Sequence, residues 1–197
     1  MSLLDVRKQL AFYGAYHSNP INILIHVVCV PIIQWTAWSL FTNVSTKGFL
    51  PDISYRFNDY LAFQLNLPTI HALISIVYYL LLEPSAAVST SLLSRLTHRS
   101  DDCEAQNNPE LFYHVLGVHV ACWILQFIGH GVAEKRAPAL FDNLIQALFL
   151  APFFVHIEVL FHLFGYNPEL QKQLKNDVGV EVARIRKLEG DKKRKSN

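Results

Sequence analysis

His119, Gln126, His130 and Glu134 follow one another at intervals of seven, four and four residues in an otherwise apolar stretch. At about 100° per residue they fall within a sector of roughly 80° on a helix. One helix would therefore carry a polar stripe. His130 and Glu134 are i and i+4, which makes them neighbours if the helix continues. Gly129 and Gly131 flank His130, so the backbone there is free to bend or to approach another helix closely. A second set lies near the N-terminus, where Tyr16-His17-Ser18-Asn19-Pro20-Ile21-Asn22 leads into His26. Pro20 suits the first turn of a helix with Asn19 as its cap. Asn19, Asn22 and His26 then share a face, and His17 stands just ahead of the turn. Such residues make a polar, metal-capable site. Hydrogen bonding between helices is the other use the same residues could have.

The remaining histidines are less distinctive. His71 opens an apolar stretch, His98 lies in a polar loop, and His114 reads as interfacial. His156 and His162 flank Glu158 and could form a second polar cluster, for which hydrogen bonding or exposure is the simpler use. Three cysteines, Cys29, Cys103 and Cys122, are too far apart for a CxxC metal motif and odd in number. They read as reduced and mostly buried.

These side chains must be positioned by very apolar elements. Residues 9–46, 60–82, 84–94 and 111–133 contain no Asp, Glu, Lys or Arg. A membrane helix needs about 20 mostly apolar residues to cross roughly 30 Å of hydrocarbon. Four stretches are candidates: Ile21 to Thr42, Thr69 to Leu82 with an extension past Pro84 to Leu93, Leu111 to Ile128, and Asn143 to Phe164. Glu83 and Pro84 interrupt the second, so that region could be a broken, re-entrant pair. Tyr and Trp near the ends of several stretches suit an interfacial belt. The expectation is an all-α, multi-pass membrane bundle of about four spans, one of them open to being broken. A soluble bundle of very apolar helices is the alternative. The first twenty residues lack a continuous apolar core and a small-residue cleavage site, so the first span itself is expected to direct insertion.

Of the 197 residues, 17% are charged and 51% hydrophobic, which excludes intrinsic disorder. A net charge of +1 gives no general attraction to phosphate, so no nucleic-acid partner is expected. Residues 167–197 hold nine of the seventeen Lys and Arg against five acids. The chain thus divides into a membrane-embedded part, 1–168, and a charged tail, 169–197, with no candidate ligand in the tail. With four spans, thirteen Lys and Arg fall on the side of both termini (two before the first span, two in 83–110, nine after 166) and four on the other. The positive-inside rule then places both termini in the cytosol.

The run Tyr16-His17-xx-Pro20-x-Asn22-xxx-His26 resembles the opening signature of a family of small membrane proteins. Gln126-Phe127-Ile128-Gly129-His130-Gly131-xx-Glu134-Lys135-Arg136-x-Pro138-Ala139-Leu140, with Asp142-Asn143-Leu144, resembles its second signature. The family includes the yeast endoplasmic-reticulum 2-hydroxy fatty acid dioxygenase, which acts in phytosphingosine breakdown to odd-chain fatty acids. The resemblance runs from about Leu4 to Leu170, and between 43 and 110 it is one of apolar character only. It implies Fe(II)-dependent α-oxidation of a 2-hydroxy fatty acid by O2 at the endoplasmic-reticulum membrane.

That chemistry can be set against the residues. Conversion of R-CHOH-COOH to R-COOH and CO2 is a four-electron oxidation, and one O2 accepts four electrons. No 2-oxoglutarate, flavin or nicotinamide is needed, and no GxGxxG loop is present. A six-coordinate iron that binds the substrate by two oxygens and O2 by a third position leaves three protein ligands, the number in a facial site. The resemblance points to His17, His26 and His130, with Glu134 as an alternative ligand or as the partner that orients a histidine. Eleven residues of straight helix put His119 about 16 Å from His130, so His119 joins the metal only if the helix bends. Arg136 could hold the substrate carboxylate in a bidentate pair. A plain membrane-flanking arginine fits it equally. A scaffold or lipid-binding protein whose polar stripes only join helices is the non-enzyme alternative. A histidine-box desaturase or hydroxylase is disfavoured because no HxxHH cluster occurs. Alkaline carbonate is expected to leave the protein in the membrane pellet, and release into the supernatant would contradict the spanning model.

Overall fold

The computed structural model describes residues 4–42, 44–46, 48–58, 61–97, 109–135 and 146–196. Helix α1 (Val6–Tyr16) begins at Asp5, whose carboxylate accepts the Lys8 N–H at 3.1 Å, a capping bond that satisfies an otherwise orphaned donor. Helix α2 (Pro20–Thr42) starts at the proline, with Asn19 Oδ1 accepting the Ile21 N–H at 2.9 Å. An antiparallel hairpin follows, β1 (Ser54–Asn58) on β2 (Leu61–Gln64), with Tyr55 opposite Phe63 and a bulge between Arg56 and Asn58. This hairpin is a departure from the all-α expectation in a mostly helical chain. Alternating polar and aromatic residues, Ser-Tyr-Arg-Phe-Asn, favour it.

Asn66 caps α3 (Leu67–Leu82) by accepting the Thr69 N–H at 3.0 Å. One residue, Glu83, separates α3 from α4 (Pro84–Thr97). Pro84 has no N–H and cannot continue α3. The Ser85 hydroxyl bonds the Glu83 carboxylate at 2.6 Å across the break. Helix α5 (Pro109–Ile128) runs into a π-helical turn, Gly129–Glu134, which Lys135 ends at φ 55°. A second π turn, Gln146–Leu150, leads into α6 (Ala151–Phe164), and Gly165 at φ 60° stops it. Helix α7 (Pro168–Ser196) closes the chain.

The chain forms two compact units, one of Met1–Val27 with Phe127–Asn197 and one of Val28–Gln126. In the first, α1 buries Leu10, Ala11, Tyr13 and Ala15, and α6 buries Phe153, Phe154, Val155 and Ile157. The Tyr13 and Phe154 rings meet at 4.7 Å. Helix α7 lies along α1 with Leu174 and Ile185 buried. A Cβ on Gly14 would come within 2.6 Å of Val178 Cγ2, so the missing side chain is what lets the two helices meet. Arg7 pairs with both carboxylate oxygens of Asp177. The charged segment expected as a tail is thus a helix docked on α1. In the second unit α2 meets α5 through Thr36 and His119, and α3 packs on α4 with Tyr79, Leu82, Ala86 and Ala87 buried.

Among the described residues, Pro20–Thr42 and Glu110–Glu134 are long and apolar enough to cross a membrane, at 23 and 25 residues. Leu67–Leu82 and Leu148–Phe164 are shorter apolar helices. Two of the four expected spans therefore reach full length. Truncating the buried Leu174 to Ala should cost roughly 2–4 kcal/mol by opening a cavity beneath α7, read as a lower thermal unfolding midpoint. Deleting residues 187–197, beyond Ile185, the last buried residue among those described, should leave that midpoint nearly unchanged.

Candidate metal centre

Three elements bring three imidazoles to one point. His17 ends α1, His26 lies in the second turn of α2, and His130 sits in the π turn after α5. Ring centroids are 4.3 Å apart for His17–His26 and 4.9 Å for each of the other pairs, with the planes 70–80° apart. One ligand atom from each lies within 4.8 Å of the others. Three atoms so spaced always have a point within about 2.8 Å of all of them, so small ring movements reach the ~2.1 Å of a metal–imidazole bond.

Hydrogen bonding prepares these rings to accept a metal. His17 Nδ1 lies 2.8 Å from the Tyr13 carbonyl and His26 Nδ1 lies 2.9 Å from the Asn22 carbonyl, each one turn back. A carbonyl only accepts, so both Nδ1 atoms carry the proton and both Nε2 atoms keep a lone pair. The Tyr13 ring also stacks on His17 at 3.9 Å and 16°. Burial holds the His17 imidazole well below its ordinary pKa, and the nearby His26 and His130 push the same way against the Tyr13 hydrogen bond. It is therefore neutral at pH 7, the form that ligates. His130 Nδ1 is buried without a hydrogen-bond partner among the described residues. Buried polar atoms are rarely left so, and a metal ion would satisfy this one. The residues fit a mononuclear metal held by imidazole.

Glu134 is placed to hold the arms of the site together. Its carboxylate accepts the Asn19 N–H at 2.6 Å, the Ser18 hydroxyl at 3.0 Å and the Asn22 amide at 3.4 Å. It thus caps the N-terminus of α2, where a negative charge also meets the positive end of the helix dipole. Asn19 returns a bond from its amide to the Ala133 carbonyl at 3.2 Å. Between them these bonds tie the His17–His26 segment to the turn that bears His130. Gly129 permits the approach: a Cβ there would lie 2.5 Å from Asn22 Oδ1 and 3.2 Å from Ile25 Cδ1. The Asn22 amide nitrogen faces two acceptors, Glu134 and the Tyr16 carbonyl, which fixes its oxygen against Gly129.

The other singled-out residues have different settings. His119 takes the Trp123 indole N–H on Nε2 at 3.0 Å and so donates from Nδ1 to Thr36 Oγ1 at 2.8 Å, whose hydroxyl donates to the Ile32 carbonyl. Both its nitrogens are engaged, and it stands outside the three-histidine group. Gln126 is buried with its amide nitrogen unpartnered. His71 Nδ1 accepts from the Trp38 indole at 3.1 Å. His162 bonds Glu158 at 3.3 Å on the surface, and His114 bonds the Glu110 carbonyl. Arg136, His98 and Cys103 lie outside the described residues. Sequence reasoning missed Tyr13 and Ser18. Their only signals were adjacency, Tyr13 at i−4 from His17 and Ser18 beside the Asn19 cap.

A helical protein with two membrane-length apolar helices and a metal-capable trio of histidines, two buried and one half-buried, is the class that fold and site define. The chain belongs to the Mpo1-like family, described as 2-hydroxy-palmitic acid dioxygenase Mpo1-like, whose model matches residues 3–163. It is 38% identical to the 2-hydroxy-palmitic acid dioxygenase MPO1 of Saccharomyces cerevisiae, over 93% of this chain and 95% of the yeast protein. No solved structure matches it.

Gly129 and Gly131 give a paired test of the close approach. Gly129→Ala should destabilise by about 1–3 kcal/mol through overpacking and weaken Co(II) binding, measured by titration of the purified protein. Gly131→Ala, whose Cβ would meet nothing within 4 Å, should do neither.

Proposed function

We propose that this protein is an Fe(II)-dependent dioxygenase of the endoplasmic-reticulum membrane that shortens 2-hydroxy fatty acids by one carbon. The reaction is R-CHOH-COOH + O2 → R-COOH + CO2 + H2O, with four electrons leaving the two substrate carbons and entering one O2. Family membership and the yeast relative support the reaction class. The observation that carries the metal reading is the convergence of His17, His26 and His130 with His130 Nδ1 orphaned.

His17, His26 and His130 are the proposed ligands. Iron bound there would supply the redox chemistry and the open coordination positions for O2 and for the carboxylate and hydroxyl oxygens of the substrate. All three ligands are neutral, so they cancel none of the ion's charge and an anionic carboxylate is favoured as a further ligand. Glu134 serves as the positioning residue that fixes the start of α2. Arg136, beside it in the chain, is the proposed partner of the substrate carboxylate. His119 joins α2 to α5 through Thr36. A scaffold whose polar residues only join helices accounts for His119, with both nitrogens satisfied, and leaves His130 Nδ1 without a purpose.

His17→Ala, His26→Ala and His130→Ala should each abolish turnover of 2-hydroxypalmitate in protein that still inserts, and His98→Ala should change little. A chelator should stop the reaction, and Fe(II) should restore it where Zn(II), which has no redox chemistry, does not. Glu134→Gln should keep iron and turn over more slowly. Full activity in His130→Ala would falsify the ligand assignment.

A further inference from the structure

The start of α2 meets the end of α5 in the first unit, and the two helices meet in antiparallel order in the second. Asn22 packs against Gly129, the buried Cys29 thiol lies near Cys122, and Thr36 bonds His119. Positions rise on one helix as they fall on the other. Helix α2 has 23 residues, about 35 Å of helix, enough for the roughly 30 Å hydrocarbon thickness. The metal-capable histidines lie at one end of this pair, where α2 begins and α5 ends.

We infer that α2 and α5 cross the bilayer in opposite directions, so that the three-histidine site lies at the membrane face that carries both termini and draws its acyl substrate from that leaflet. This rests on the membrane-spanning reading proposed above. It replaces an arrangement in which α2, α3, α5 and α6 each cross once, because that order would put the start of α2 and the end of α5 on opposite faces. The Glu134 bonds to Ser18 and Asn19 do not allow such a separation.

The remaining elements are consistent with two full crossings. Helices α3 and α4 have 16 and 14 residues, about 24 and 21 Å. They link the far end of α2 to the start of α5, so the pair enters and leaves by the far face, with its break at Glu83 and Pro84. Whatever depth the break reaches, the number of crossings there is even. Helix α6 has 14 residues, about 21 Å, and rests on α1 through Phe154; α7, which follows, is docked along α1. Charge supports the assignment of faces. Arg7, Lys8, Lys135, Arg136 and the nine Lys and Arg of 167–197 share the site's face, and Lys47, Arg56, Arg95 and Arg99 take the other. The bias is thirteen to four, the same as in the four-crossing arrangement, because Arg95 with Arg99 and Lys135 with Arg136 simply exchange sides. The positive-inside rule therefore orients the pair with the site toward the cytosol and cannot choose between the two arrangements; the helix contacts do.

Single cysteines decide it. With Cys29, Cys103 and Cys122 replaced, Ser54→Cys, Glu110→Cys, Lys135→Cys and Glu169→Cys are introduced one at a time and treated with a membrane-impermeant maleimide on sealed, cytosol-out microsomes. Lys135→Cys and Glu169→Cys should label without detergent, and Ser54→Cys and Glu110→Cys only after it is added. Labelling of Glu110→Cys with protection of Lys135→Cys overturns the proposal in favour of four crossings. The fully reversed pattern overturns the cytosolic face. Labelling of all four without detergent, with release by carbonate, would instead sink the membrane reading itself.

Discussion

The first turn of α2 is held against the end of α5 from two directions. From one, the Glu134 carboxylate gathers the Ser18 hydroxyl, the Asn19 N–H and the Asn22 amide. From the other, Gly129 leaves the space that Asn22 fills. His17, His26 and His130 sit within a few residues of these contacts. A carboxylate with three donors at a helix N-terminus is a strong, directional anchor, and removing the glycine's clearance would push the two backbones apart. Every distance in the histidine cluster depends on that closure.

The π turn makes the closure compatible with a buried histidine. An α-helix continued past Ile128 would carry His130 and Glu134 round on the 3.6-residue period. The wider turn over Gly129–Glu134 changes that phase, so His130 points to the site while Glu134 reaches the start of α2. Such bulges are energetically poor in isolation and are found mostly at functional sites. On the other arm, Tyr13 fixes His17 twice, by its carbonyl and by its stacked ring. Helix α7 in turn fixes α1. The charged C-terminal helix thus bears on the metal-capable site through packing alone, without supplying a ligand.

Much of the site was legible because its residues announce themselves locally. Asn19-Pro20 is a helix start by capping chemistry, and a histidine one or two turns on must lie near it. The helical stripe was legible only as a period. The angular period put His119 on one face with His130, the helix rise already set them about 16 Å apart, and side-chain chemistry shows what His119 does instead: Trp123 is one turn from it, and Thr36 waits on α2. No period in α5 reveals a partner on another helix. The same limit applies to the spans. Hydropathy finds apolar length and is blind to which helix ends meet, so it does not show that the start of α2 lies against the end of α5. The hairpin was missed for a different reason. Its strands are four and five residues long, too short for periodicity to stand out between two apolar helices.

The central claim is that three imidazoles, and no carboxylate from the chain, hold one iron. X-ray absorption at the iron edge of the loaded, substrate-free protein tests this most directly, because imidazole rings give outer-shell scattering that carboxylates and water do not. The account predicts scattering from three imidazoles per iron in the wild type, unchanged in Glu134→Gln. Iron with one imidazole or none, or a first shell that loses an oxygen when Glu134 is replaced, would contradict it.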